Sequence, residues 1–188
     1  MRTAIATILA AAALAGCESS VQPTAANMLG YQVDGEYNRS IWLTRDGVQI
    51  HSAAAQPVRV ELPGWIYAGG PHCPPALALG PKGEVVVTSN VIPTLWRIDA
   101  DSLAVTVHPL TLDSDQDKDV GFAAVAYAPE QQAYVAYSET QRSAWKIDAS
   151  LKGASKLATT AVERPRSAKA RYAACADLGR RVGQPRID

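Results

Sequence analysis

Phenylalanine occurs once in 188 residues, methionine twice and histidine three times, and neither sign of charge is in excess, with 18 Lys+Arg against 18 Asp+Glu. Zero net charge argues against a dedicated nucleic-acid binder, whose affinity rests on a basic surplus. G-x-S-x-G, Walker, H-E-x-x-H and C-x-x-C motifs are all missing, so no short motif announces a nucleophile elbow, a phosphate cradle, a zinc site or a redox dithiol. His51, His72 and His108 are scattered and lack metal-ligand spacing. Cysteine is scarce and odd in number, at three residues. What is present is globular in kind: 47% hydrophobic residues, 19% charged, 13 Gly and 12 Pro, which excludes a disordered chain and suits one domain or two small ones.

The apolar residues are unevenly placed. Residues 1–16, MRTAIATILAAAALAG, hold one cation, Arg2, then an uncharged Ala/Ile/Leu run and small residues. This is the pattern of a secretory signal peptide, and the run is short for a membrane-spanning helix. It ends in Leu14-Ala15-Gly16-Cys17, which resembles the lipobox of bacterial lipoproteins. The resemblance implies that Cys17 carries lipid on its sulfur and becomes the amino terminus. The other readings are an ordinary signal peptide with a chance cysteine, or an uncleaved anchor. One acyl chain holds a protein only marginally, at roughly 0.8 kcal/mol per buried CH2, so several chains are needed for lasting attachment. Glu18 in place of Asp points, by the enterobacterial sorting rule, to the outer membrane. Residues 17–29 then read as lipidated Cys and linker, the stretch after Cys17 being short, polar and Pro-containing.

The mature chain repeats. Gly30–Trp42, Glu84–Trp96 and Ala133–Trp145 align without gaps. The first and third share Tyr31 with Tyr134, Glu36 with Glu139, Arg39 with Arg142 and Ser40 with Ser143, whereas the second and third share Ser89 with Ser138 and Trp-Arg-Ile-Asp99 with Trp-Lys-Ile-Asp148. The tryptophans are 54 and 49 residues apart, within the range of one four-stranded blade. Strand signals recur in order: an alternating apolar run, a Pro-containing turn, a β-rich strand, a polar loop, the Trp strand and a fourth strand, for which Gly47-VQIHSA serves after Trp42.

Val87-Thr-Ser-Asn90 with Leu95-Trp-Arg-Ile-Asp99, and Tyr134-Val-Ala-Tyr-Ser138 with Ala144-Trp-Lys-Ile-Asp148, resemble β-propeller repeats of the YVTN and quinoprotein-like type. The resemblance implies an all-β fold of antiparallel four-stranded repeats, a partial or small propeller-like structure over residues 30–162, with each Trp packed between sheets. A β-sandwich or another antiparallel sheet is the rival. Residues 17–188 suffice for three repeats, so the expectation is a small ring, a partial propeller completed by oligomerisation, or a truncated form of a longer protein. Residues 163–188 form a basic tail, with seven Lys/Arg against three acids, either a short helix or a strand.

Between the first two repeats, Pro57-VRVEL, Pro63-Gly64 and Trp65-Ile-Tyr67 read as a hairpin or extra strand pair. Loops on a rigid scaffold carry binding, so Trp65 and Tyr67 are the candidate aromatic contacts, with burial of Trp65 the competing reading. With Cys17 assigned to lipid, Cys73 and Cys175 form an even pair, either a disulfide or two buried thiols. Asp113, Asp115, Asp117 and Asp119 alternate as at the start of an EF-hand loop, but Lys118 stands where the turn glycine belongs and Ala124 where the bidentate Glu belongs. The segment is either a calcium site or a solvated acidic turn; no other cofactor is indicated. The expected function is that of an envelope lipoprotein displaying a β-repeat binding or scaffold domain, with a protein partner or a second copy, and the membrane reached through the lipid. The alternative is an enzyme on a propeller scaffold, lactonase- or quinoprotein-like.

Overall fold

The computed structural model describes residues 27–53, 55–113, 120–159, 175 and 177. The signal segment, Cys17, three of the four alternating aspartates (Asp115, Asp117 and Asp119) and all of the basic tail except Cys175 and Asp177 lie outside the described residues. Three sheets follow one another along the chain. The first holds β1 (Met28–Asp34), β2 (Arg39–Thr44), β3 (Gly47–Ser52) and β4 (Val58–Val60), and the second β5 (Leu77–Leu79), β6 (Val85–Thr88), β7 (Thr94–Ile98) and β8 (Val105–Pro109). The third holds β10 (Ala124–Ala128), β11 (Ala133–Ser138), β12 (Ser143–Asp148) and β13 (Gly153–Thr159), all antiparallel neighbours, with β9 (Thr111–Leu112) parallel to β13 at its outer edge. Cys175 and Asp177 have helical backbone.

Strand alternation decides how the sheets stack. On β2, Ile41 and Leu43 are buried while Ser40 and Trp42 are half-buried, so one face is committed to a core. All four residues of β6 are buried, because the second sheet is covered on both faces. Val85, Val87, Trp96 and Ile98 meet Ile41, Leu43 and Val48 of the first sheet. Ala78, Val86 and Leu95 meet Val125, Tyr134, Trp145 and Ile147 of the third. Strand β5 touches both β1 and β10, so the first strands of the three sheets stand side by side and the sheets fan out from them as propeller blades do.

The turns between third and fourth strands explain the recurring Ile-Asp. Asp99 Oδ1 accepts hydrogen bonds from the Asp101 and Ser102 amides and the Ser102 hydroxyl. Asp148 accepts from the Ser150 hydroxyl and from the Gly153 amide at 2.6 Å. Leu103 and Leu151 then take left-handed backbone, with φ of 56° and 57°, which closes each hairpin. In the first sheet the tight spot is Gly47, at φ 125°, where a Cβ would stand 2.6 Å from the Val60 carbonyl oxygen.

The first repeat departs from the sequence alignment. Trp96 and Trp145 lie on the third strands of their sheets and are 1% and 0% exposed, but Trp42 lies on a second strand, half-buried between Tyr31 and His51. Its sheet is framed one strand later than the alignment implies: Gly47–Ser52 is a third strand, and Val58–Val60 completes the sheet as the fourth. Residues 57–67 therefore supply one strand, and Trp65-Ile66-Tyr67 is loop rather than a second strand of a pair. Counted from their first strands, the sheets begin at Met28, Leu77 and Ala124, 49 and 47 residues apart, a more even period than the tryptophans give.

Candidate functional site

The end of β6 organises one end of the fan. Thr88, Ser89 and Asn90 are polar yet buried, with exposures of 0%, 0% and 7%, so each needs partners. Thr88 Oγ1 donates to the Phe122 carbonyl at 2.7 Å and accepts from the Ala76 amide at 2.8 Å. Ser89 Oγ donates to the Ile66 carbonyl at 2.7 Å and accepts from the Val91 and Ile92 amides. Asn90 uses both ends of its amide: Nδ2 donates to the Ala68 and Cys73 carbonyls at 2.7 and 2.8 Å, and Oδ1 accepts from the Ala68 amide at 2.8 Å. Residues 120–123 cross directly over this point, where a Cβ on Gly121 would lie 2.0 Å from the Asn90 carbonyl carbon.

These bonds brace the loop 61–76. Trp65 Nε1 donates to the Thr88 carbonyl at 2.9 Å, and its ring packs on the core between the first two sheets. The Cys73 amide donates to Glu139 Oε2 at 2.9 Å, and Cys73 is joined to Cys175 by a disulfide with Cα atoms 5.5 Å apart. A loop that long would otherwise cost order to hold in one shape. Here a side-chain network, an indole and a covalent bond share the task.

The braced loop walls a cleft of about 410 Å³ with Leu29, Arg45, Tyr67, Gly69, Gly70 and His72 on its surface. The Tyr67 ring stacks at a tilt on Trp65, centroids 4.7 Å apart. His72 Nδ1 lies 4.0 Å from Glu139 Oε2. Of the two aromatic candidates, then, Trp65 is a support and Tyr67 borders the cleft. Arg45, in the turn between β2 and β3, and His72 border it too, brought there from 22 and 5 residues away in sequence. The recurrence of Ser89 and Ser138 was the available signal for this end: Ser138 Oγ accepts from the Gln141 amide, as Ser89 Oγ accepts from Ile92, so both hold the turn after a second strand.

Asp113 is placed elsewhere, on the outer edge of the third sheet, where its carboxylate accepts from the Lys156 amide at 3.0 Å and its own amide donates to the Ala154 carbonyl. Among the described residues, no three His, Cys, Asp or Glu side chains gather as a metal site, and no helix is long and apolar enough to cross a membrane.

No protein-family profile matches the chain, and no curated protein sequence does. Its fold is matched by solved propeller-like structures. A catalytically inactive virginiamycin B lyase from Staphylococcus aureus with quinupristin is 14% identical over 77% of this chain and 44% of its own, with a TM-score of 0.53. A structural-genomics protein of unknown function from Bacteroides thetaiotaomicron is 16% identical over 73% and 33%, with a TM-score of 0.54. A chain of the nidogen/laminin complex is 12% identical over 73% and 50%, with a TM-score of 0.52. The chain thus spans half or less of the length of these structures. At such identities the likeness is one of fold, and the chain is an all-β, propeller-like repeat protein.

Proposed function

We propose that this protein is a bacterial envelope lipoprotein, acylated at Cys17, held at the outer membrane and displaying its propeller-like sheets as a binding or scaffold module. The lipobox-like Leu14-Ala15-Gly16-Cys17 supports the anchor. The Cys73–Cys175 bond suits an oxidising compartment. The observation that carries the binding reading is the braced loop 61–76. Thr88, Ser89 and Asn90 are spent on holding backbone, while Tyr67, His72 and Arg45 are presented around a cleft. Rigid scaffolds present binding groups in this way.

The anchor is tested by intact mass. The membrane fraction should yield a chain beginning at Cys17 with added acyl mass, and Cys17→Ser should release the protein from that fraction. A soluble chain beginning at another residue sinks the reading. For binding, Tyr67→Ala and Arg45→Ala should reduce partner recovery from cross-linked envelopes at unchanged melting temperature; equal recovery would move the site away from the cleft.

A further inference from the structure

Each sheet has a face turned back toward the sheet before it and a face turned forward to the next. The second sheet buries both. Its back face carries Trp96 against the first sheet, and the third sheet's back face carries Trp145 against the second. The first sheet's back face carries Tyr31, Val33 and Trp42, with Tyr31 48% and Val33 61% exposed, and among the described residues no sheet lies on it.

The forward faces repeat more closely. Across the second sheet, Ala78, Val86, Arg97 and Thr106 stand opposite one another in a single row, with Ala78 and Val86 buried under the third sheet. Across the third sheet the same row reads Ala126, Val135, Lys146 and Ser155. Small, branched, cationic and hydroxyl residues recur strand for strand. In the third sheet, however, Ala126 and Val135 are only half-buried and Lys146 is exposed, while Ala124 and Tyr137 in the next row of the same face are buried. The row through Ala126, Val135 and Lys146 is therefore open to a following sheet, and the back face of the first sheet to a preceding one.

We propose that a second copy of this chain fills both places. The back face of each copy's first sheet packs on the forward face of the other copy's third sheet. Two copies of three sheets make a ring of six, within the typical range of four to eight blades. Both mating faces occur on one chain, and the contact reuses the sheet-to-sheet packing already present twice within it. A head-to-tail contact that closes gives a finite ring, whereas one that does not gives an open fibre. This assembly does not depend on the lipid anchor.

The test is sedimentation and native mass spectrometry of the full chain in detergent. Two copies per particle, dissociating on dilution, is the expected result. A single-copy mass at every concentration overturns the proposal, as does an open-ended ladder of masses. Val33→Asp and Val135→Asp should each yield single copies with native circular dichroism. An equal mixture of the two should regain a two-copy species, because the intact third sheet of one variant meets the intact first sheet of the other. Retention of the two-copy mass by Val135→Asp alone would mean that first sheets pair with each other, and the ring is then wrong. Should either variant fail to fold, Tyr31→Ser and Lys146→Glu, both at exposed positions, take their places with the same expected outcomes.

Discussion

Arg39 and Asp34 form an ion pair of 2.9 Å between side chains only 6% and 4% exposed, and Arg39 extends it across the gap between sheets by donating to the carbonyls of Ala100 at 2.9 Å and Gly83 at 2.5 Å. Asp34 also accepts from the Glu36 and Tyr37 amides, which shapes the turn between the pair. Removing one partner of a buried pair leaves the other charge poorly compensated, at a cost of about 3–5 kcal/mol. Asp34→Ala should therefore lower the urea midpoint strongly, and an unchanged midpoint would show that the guanidinium is satisfied by the carbonyls alone.

The tryptophans should differ in weight. Trp96 and Trp145 fill the two cores, and truncation to Ala should cost about 3–5 kcal/mol each. Trp42 stands on the half-exposed back face of the first sheet, so Trp42→Ala should cost well under half of that in the dilute, single-copy protein. Equal losses at all three, by chemical denaturation, would restore the tryptophan-based repeat frame.

That contrast marks how far the sequence could be read. Sheets two and three were legible because the Pro turn, the apolar second strand and Trp-x-Ile-Asp recur together, each tied to a local turn. The first sheet misled because Ser40-Ile-Trp42 makes the same short contact as Ser143-Ala-Trp145, with indole Nε1 donating to the hydroxyl two residues back. A two-residue contact does not say which strand of a sheet carries it. Arg39 and Arg142, matched in the alignment, likewise differ: one is buried in an ion pair, the other exposed at φ 51°. In the candidate site, Tyr67 was legible as an aromatic on a loop. The role of Asn90 was not, since its partners Ala68 and Cys73 are 22 and 17 residues away and are backbone groups without a sequence signature.

Burial, then the charge of Glu84 and the hydrogen bond to it, push the Tyr134 hydroxyl far above its ordinary value of 10.0. The unfolded chain releases this proton near pH 10 while the folded chain keeps it, so the contribution is whole below about pH 10 and shrinks as pH rises beyond it. Urea melts at rising alkaline pH should show falling stability. Tyr134→Phe should show a shallower fall, and an equally steep one would place the alkaline sensitivity on other groups.

The disulfide joins residues 102 apart, and in the chain-entropy model a loop of about 100 residues is worth up to roughly 4.7 kcal/mol. Cys175→Ser should lower stability by no more than this. It should also speed hydrogen exchange at the Cys73 amide, held by Glu139, more than at the Ala68 amide, held by Asn90. Equal protection of both in the variant would mean that hydrogen bonds alone hold the loop.

The chain enters its fold beside the cleft: Leu29, one residue into β1, borders it, and the Asn27 carbonyl accepts from the Arg45 amide. If Cys17 sits in lipid, the ten residues from Glu18 to Asn27 are the entire leash, and a fully extended leash of that length reaches only about 33–36 Å. The mouth framed by Tyr67 and Arg45 would then stand within a few nanometres of the bilayer, so that whatever enters it would be met close to the membrane surface rather than in bulk solvent.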